Sequence, residues 1–209
     1  MKPVRAADLG ALIAAVRQDL SPPPPLPGGR GDRSPYPPLP VWRGGTWKLF
    51  LVAGTSHLAE GWRDQVARIE VAGDPGIEAV VRRAGAGLPV DLTWESPADV
   101  IPIPAGSDQR ARAVPVEIGG AGGPLEVLHF DPYSVVLRLV ARGDELDYVD
   151  ALEYMRRGWV EQETLDTMLA EVLPRFTNDT LAQDPAEFRR KFRGLRQLHA
   201  SEVAHRHLA

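Results

Sequence analysis

After Phe130 the chain changes character, and that change limits the folds open to it more than any other feature. Between residues 45 and 130 lie the runs rich in β-branched and aromatic residues; beyond them, apolar residues recur only at helical spacing. Thr46-Trp47-Lys48-Leu49-Phe50-Leu51-Val52 predicts a buried strand that ends in the Ala53-Gly54-Thr55 turn. A short helix from Ser56 to about Trp62 follows. Val66 to Val71 predicts a second strand, with Val66, Arg68 and Glu70 on one side and Ala67, Ile69 and Val71 on the other. Asp74-Pro75 predicts a helix start, with Asp74 as N-cap, and Gly85 and Gly87 its end. Pro89 to Trp94 and Leu125 to Phe130 predict two more strands. Strands followed by a run of helices give an α+β fold with α/β-like features: a small mixed sheet flanked by helices, then a C-terminal helical bundle.

The helical part, residues 131–209, has its own punctuation. Asp131-Pro132 predicts a capped helix carrying Val135, Val136, Leu139 and Val140 and closed near Gly143. A second helix would bury Leu146, Val149, Leu152 and Met155 and stop at Gly158. A third spans about 161–173, and Asp184-Pro185 opens a fourth with Phe188, Phe192 and Leu195 in register. At the other end, residues 1–20 carry Leu9, Leu12, Ile13, Val16 and Leu20, one apolar stripe of a helix. Nine prolines between Ser21 and Pro40 then forbid regular helix or central strand, so residues 21–44 read as an extended linker.

Composition bounds function mainly by exclusion. The chain has 209 residues, enough for one domain with a sizeable core. Its net charge of −4 argues against a chain-wide field for nucleic acid, and no apolar run approaches the roughly 20 residues of a membrane span. No cysteine is present, which removes disulfides, thiolate metal sites and cysteine nucleophiles. A cytoplasmic location is the expectation.

Several short motifs occur in a telling order. Val52-Ala53-Gly54-Thr55 forms a strand-to-helix turn, Gly61-Trp62-Arg63 follows, and then comes Arg68-Ile69-Glu70-Val71. Downstream stand Val90-Asp91-Leu92, Ser96 to Pro102, His129-Phe130-Asp131-Pro132-Tyr133-Ser134, and Arg142-Gly143 before Asp147 and Asp150. Over about residues 45 to 195 this order resembles the minimal nucleotidyltransferases, including their antitoxin-type and uncharacterised bacterial branches. The family signature runs Gly-Gly-[Ser/Thr], Gly-x-Arg, then Asp-x-Asp on the next strand.

The resemblance implies roles. Nucleotidyl transfer is an in-line displacement at phosphorus, driven by positioning and by divalent metal. Gly54, Thr55, Arg63, Arg68 and Arg138 would then contact nucleotide, and Glu70 and Asp91 would be the catalytic and Mg²⁺-binding carboxylates, with Glu95 in reserve. At the first aspartate position, however, stands Arg68, whose guanidinium has no lone pair for a cation and repels it. Two-metal catalysis is therefore not expected, although Glu70 and Asp91 could still hold one weakly bound Mg²⁺.

The same residues also admit plainer readings. Gly54-Thr55 serves equally as a simple turn with a threonine cap, Arg68 and Glu70 as a salt-bridged strand face, and Asp91 as a solvated residue. Arg138 and Asp147 could hold a phosphate or merely clamp two helices. The basic run from Arg189 to Arg206 reads as a solvated helix face, without aromatic residues for base stacking. The expectation is a catalytically impaired nucleotidyltransferase-like protein that binds a nucleotide or a protein partner, as antitoxin-type members do. An active transferase and a purely structural or interaction protein are the alternatives; a homo-oligomer is compatible with each.

Overall fold

A computed structural model describes residues 3–20, 46–96, 101–115, 118, 123–177 and 184–208, with the side chains of 206–208 left out. The proline-rich segment predicted at 21–44 lies outside the described residues, as do parts of the Ser96 to Pro102 motif. The chain is mixed α+β. In order it forms α1 (Ala6–Leu20), β1 (Trp47–Leu51), α2 (Gly54–Ala59), β2 (Ile69–Gly73), α3 (Glu78–Ala86) and β3 (Leu92–Trp94). Then come α4 (Ser107–Arg110), β4 (Arg112–Ala113), β5 (Leu125–His129), α5 (Pro132–Arg142), α6 (Glu145–Arg156), α7 (Gln162–Val172) and α8 (Pro185–Leu208).

The strands make one sheet in the order β3-β2-β1-β5-β4. β1 pairs antiparallel with β2, placing Leu51 opposite Val71, and parallel with β5, placing Leu51 opposite His129. β2 and β3 are parallel, with Glu70 opposite Thr93. Alternation along these strands sends Leu49, Leu51, Ile69, Val71, Leu125 and Val127 to one side, where they pack on Leu9, Leu12, Ile13 and Val16 of α1 and on Val80 and Val81 of α3. Phe50 and Ala72 join an apolar cluster on the other side, filled by Val136, Leu139 and Val140 of α5, Tyr154 of α6, Leu165 of α7, and Phe188, Phe192 and Leu195 of α8. Each fully buried leucine or phenylalanine contributes roughly 1.5–3 kcal/mol, so two such faces fix the sheet firmly between its helices.

Sequence and structure agree on α1, α5, α7 and the start of α8. Asp131 caps α5 by accepting from the Tyr133 N–H at 3.2 Å, and Gly143 ends it with φ 75°. A side chain at Gly143 would be strained by that φ and would meet Lys191 at 2.9 Å. Lys191 reaches from α8 to the carbonyl oxygens of Ala141 and Arg142, at 2.7 and 3.1 Å, completing the end of α5.

Three elements differ from expectation. The second strand begins at Ile69, because Val66 is drawn off into a bridge with Val4. The third helix begins at Glu78 and not at Pro75: the Asp74 carboxylate accepts from the Lys48 N–H at 2.8 Å, finishing the β1–β2 ladder, and Gly76 turns the chain at φ 106°. Most consequential is α6. It buries Leu152 and Met155 as expected, but leaves Leu146 and Val149 exposed and turns Asp147, Asp150, Ala151 and Tyr154 inward. Both sets are spaced for a helix stripe, and the partners waiting on α5 and α2 decide which is buried.

Candidate functional site

Between the β1–α2 turn, β2 and the start of α6 lies a cleft of about 570 Å³. Gly54, Arg63, Arg68 and Glu70 line it from one side, and Arg142, Asp144, Glu145, Leu146, Asp147 and Asp150 from the other. The antiparallel β1–β2 pairing is what brings Arg68 and Glu70 beside Gly54.

The turn itself is strained. Ala53 has φ 47° and ψ −122°, a conformation that suits glycine and costs a residue with a Cβ about 1–3 kcal/mol. Thr55 is fully buried, and its hydroxyl accepts from the Glu70 N–H at 2.7 Å. That bond ties α2 to β2, and Thr55 is not among the residues lining the cleft. Ser56 donates to the Leu51 carbonyl at 3.0 Å, fastening the same turn to the end of β1.

Across the cleft runs a chain of ion pairs. The Glu70 carboxylate, almost wholly buried, accepts at one oxygen from Arg68 Nε at 3.2 Å and from Arg142 Nη1 at 3.4 Å. Arg142 also donates to both oxygens of Asp147, at 2.6 and 3.3 Å, a two-pronged contact that fixes α6 to α5. Burial opposes the Arg142 charge, but the hydrogen bond and charge of Asp147, followed by those of Glu70, outweigh it and raise its pKa. Arg63 pairs with Asp150, whose Oδ1 also lies 3.4 Å from Nδ1 of the fully buried His57. The Asp147 carboxylate serves once more as an acceptor for the Asp144 N–H at 3.3 Å, capping α6.

Besides Thr55, two residues named from sequence stand apart from this lining. Asp91 is exposed, just before β3, and touches β2 through its carbonyl, which accepts from the Ile69 N–H at 2.8 Å. Arg138 is buried and pairs with buried Glu95, while its Nε and Nη1 find no acceptor among the described residues. Burial, and then the nearby charge of Arg142, push the Arg138 pKa down; Glu70 and Asp147 partly restore it. The clamp between α5 and α6 is thus Arg142–Asp147, not Arg138–Asp147. Arg138 follows Leu137 on the inner side of α5 and reaches the sheet edge instead.

Sequence reasoning passed over Arg142 and Asp150 as site residues. Arg142 stands one turn beyond Arg138 on α5, and Asp150 lies three residues after Asp147, so both lie on a helix face already marked by a charge. That spacing was the available signal.

As for metal, the Glu70 oxygen that faces the cleft is held by two guanidinium groups. Among the described residues no group of three or more His, Asp or Glu side chains is arranged to hold an ion. The lining carries five carboxylates against three arginines, and each arginine already pairs with an in-chain carboxylate, so an added polyphosphate would compete with those carboxylates.

At the far end of α2 the packing is aromatic. Trp159 meets Trp62 and His129 edge to face, at 4.7 and 5.0 Å between centroids, and Arg112 lies 4.6 Å over it. His129 Nε2 lies 2.9 Å from the Glu60 carboxylate, which selects the tautomer with its proton on Nε2. No helix among the described residues is long and apolar enough to cross a membrane. No family model matches the chain, and neither a curated protein nor a solved structure is significantly similar to it.

Proposed function

We propose that this chain is a nucleotidyltransferase-like protein, with a C-terminal helical bundle behind its sheet, that does not carry out metal-dependent transfer and uses its cleft to bind a protein partner. One observation carries the reading: the Glu70 carboxylate, placed beside the Gly54 turn where such chemistry would need a cation, is neutralised by Arg68 and Arg142. A guanidinium at that place fills the role of the metal's charge but offers neither Lewis acidity nor a coordinated water. The excess of carboxylates in the lining favours a partner with basic side chains over a free nucleotide. The exposed Leu146 at the rim adds apolar area to such a contact.

A nucleotide remains the second reading, and its support is Arg68, the most exposed of the three cleft arginines. Isothermal titration with ATP and CTP, with and without Mg²⁺, separates the cases, together with a label-transfer assay from labelled nucleotide. No heat and no transfer are expected. Binding without metal that Arg68→Ala weakens would move the conclusion to the nucleotide. Metal-dependent binding or transfer that Glu70→Ala abolishes would overturn it in favour of an active enzyme.

A further inference from the structure

A second cavity, of about 770 Å³, adjoins the cleft and shares two lining residues with it, Arg63 and Leu146. Arg5, Trp62, Asp64 and Gln65 complete its lining. The loop that carries Trp62 to Gln65 is fastened to the start of the described chain by the bridge between Val66 and Val4, whose two N–H to carbonyl bonds measure 2.8 and 2.9 Å. Leu146, 67% exposed, stands on the rim common to both hollows, so a segment that occupies both passes over it.

The two hollows differ in charge. Arg63 is matched by Asp150, Arg68 by Glu70 and Arg142 by Asp147. Among the described residues, the exposed Asp144 and Glu145 of the cleft have no ion-pair partner, nor do Arg5 and Asp64 of the second cavity. The cleft is thus left with two unmatched carboxylates and favours a cation. Arg5 and Asp64, one of each sign, leave the second cavity neutral, and what it offers is the apolar surface of Trp62 and Leu146. Trp62 is half-buried, and its ring is fixed edge to face by Trp159 at 4.7 Å and by Tyr154 at 5.8 Å. An apolar wall held in place before binding costs no ordering when a partner arrives.

We propose that the cleft and the second cavity form one docking groove, and that its occupant is a segment of a partner protein in which a lysine or arginine stands close to a large apolar residue. The basic side chain lies in the cleft against Asp144 and Glu145, and the apolar one lies between Leu146 and Trp62. This rests on the reading of the cleft as a protein-binding site and adds what the partner must present besides charge. Exposed carboxylates alone give a basic segment little affinity, whereas an apolar anchor in a preformed hollow supplies the larger share.

Selection of random phage-displayed peptides on the full chain, followed by titration of the selected sequences as free synthetic peptides, provides the test. Selected sequences should join Lys or Arg to Leu, Ile, Phe or Trp, and their binding should move the indole N–H resonance of Trp62, assigned through Trp62→Phe. Glu145→Gln in the cleft, Leu146→Ser on the rim and Gln65→Arg in the second cavity all alter exposed side chains, so the fold is kept. Each should weaken binding by roughly fivefold or more. Val149→Ser, exposed on the same helix but outside both hollows, should leave it unchanged. Basic peptides weakened by Glu145→Gln but indifferent to Leu146→Ser and Gln65→Arg would overturn the proposal and leave the reading of the cleft standing. Acidic peptides, peptides indifferent to all three variants, or no selected peptide would overturn both.

Discussion

On the side of the sheet covered by α1 and α3, Leu49, Leu51, Ile69 and Val71 meet Leu9, Leu12, Ile13 and Val16, and the ion pair between those two helices, Arg83 with Asp19, lies out at the surface. On the side covered by α5 and α6, the alternate residue of the same strand is Glu70, and buried around it stand Glu95, Arg138, Asp147 and Asp150. The first face is held by area removed from water, which is tolerant of detail and indifferent to orientation. The second has an apolar cluster of its own and adds charges whose desolvation is repaid only while every partner is in place. It follows that apolar burial stabilises both faces, and that the charges on the second also fix how α5 and α6 sit against the sheet and thereby shape the cleft.

The comparison breaks most readily at Glu95. Glu95→Ala leaves Arg138 buried without its counter-ion, and the loss should be about 3–5 kcal/mol. Leu12→Ala on the opposite face removes a fully buried side chain and should cost a similar or smaller amount, about 2–5 kcal/mol, through lost burial and a cavity. The two faces part company on repair. Glu95→Leu combined with Arg138→Met should recover most of the loss, because the pair's desolvation disappears with it. No single second substitution should do so for Leu12→Ala. Urea denaturation of the three variants measures this, and a Glu95→Ala loss below about 1 kcal/mol would place that pair with ordinary surface salt bridges.

How much of each face was legible in the sequence follows the same division. The stripe of Leu9, Leu12, Ile13 and Val16 reads directly as a buried helix face, because apolar burial needs only periodicity. The Gly54 turn meets Arg68 and Glu70 at one cleft because β1 and β2, consecutive strands, pair with each other, as consecutive strands commonly do. Ionic partners are set by distant elements, which spacing does not reveal. Alternation puts Asp91 and Glu95 on the same side of β3, but not which of them lies deep enough to be buried, and it is Glu95. For α6, hydrophobicity alone chose Leu146 and Val149. Arg63 and Arg142, waiting on the inner side, chose Asp147 and Asp150 instead.

A smaller effect appears where the aromatic packing meets a titratable group. Burial lowers the His129 pKa from its ordinary 6.5; the charge and hydrogen bond of Glu60 oppose this, and Arg112 and His57 add to it. The folded state therefore binds its proton less readily than the unfolded state does. Its contribution to stability is complete above about pH 6.5 and is lost as pH falls through the lowered folded value. Between pH 7.5 and 5.5, above the range where ordinary carboxylates titrate, stability should decline with falling pH. His129→Gln should flatten that slope. An equal slope in the variant would assign the dependence to another group.

The smallest effect belongs to Ala53. Its φ of 47° with ψ −122° is imposed by α2, which must leave β1 abruptly for the Thr55 hydroxyl to reach the Glu70 N–H. Ala53→Gly relieves about 1–3 kcal/mol of strain. Against that stand the buried methyl, about 0.8 kcal/mol, and the greater freedom of glycine in the unfolded chain, about 0.4–1 kcal/mol. The balance runs from a loss of about 0.8 to a gain of about 1.8 kcal/mol, centred on a gain of about 0.5 kcal/mol. Ala53→Val moves the other way, because a β-branched side chain is worse at positive φ and the site is already packed against the α5–α8 cluster. Thermal melts should therefore rank glycine close to or above the native alanine and valine well below it. Valine melting as high as glycine would mean that the turn relaxes out of this conformation, and with it the bond from the Glu70 N–H to the Thr55 hydroxyl that ties α2 to β2.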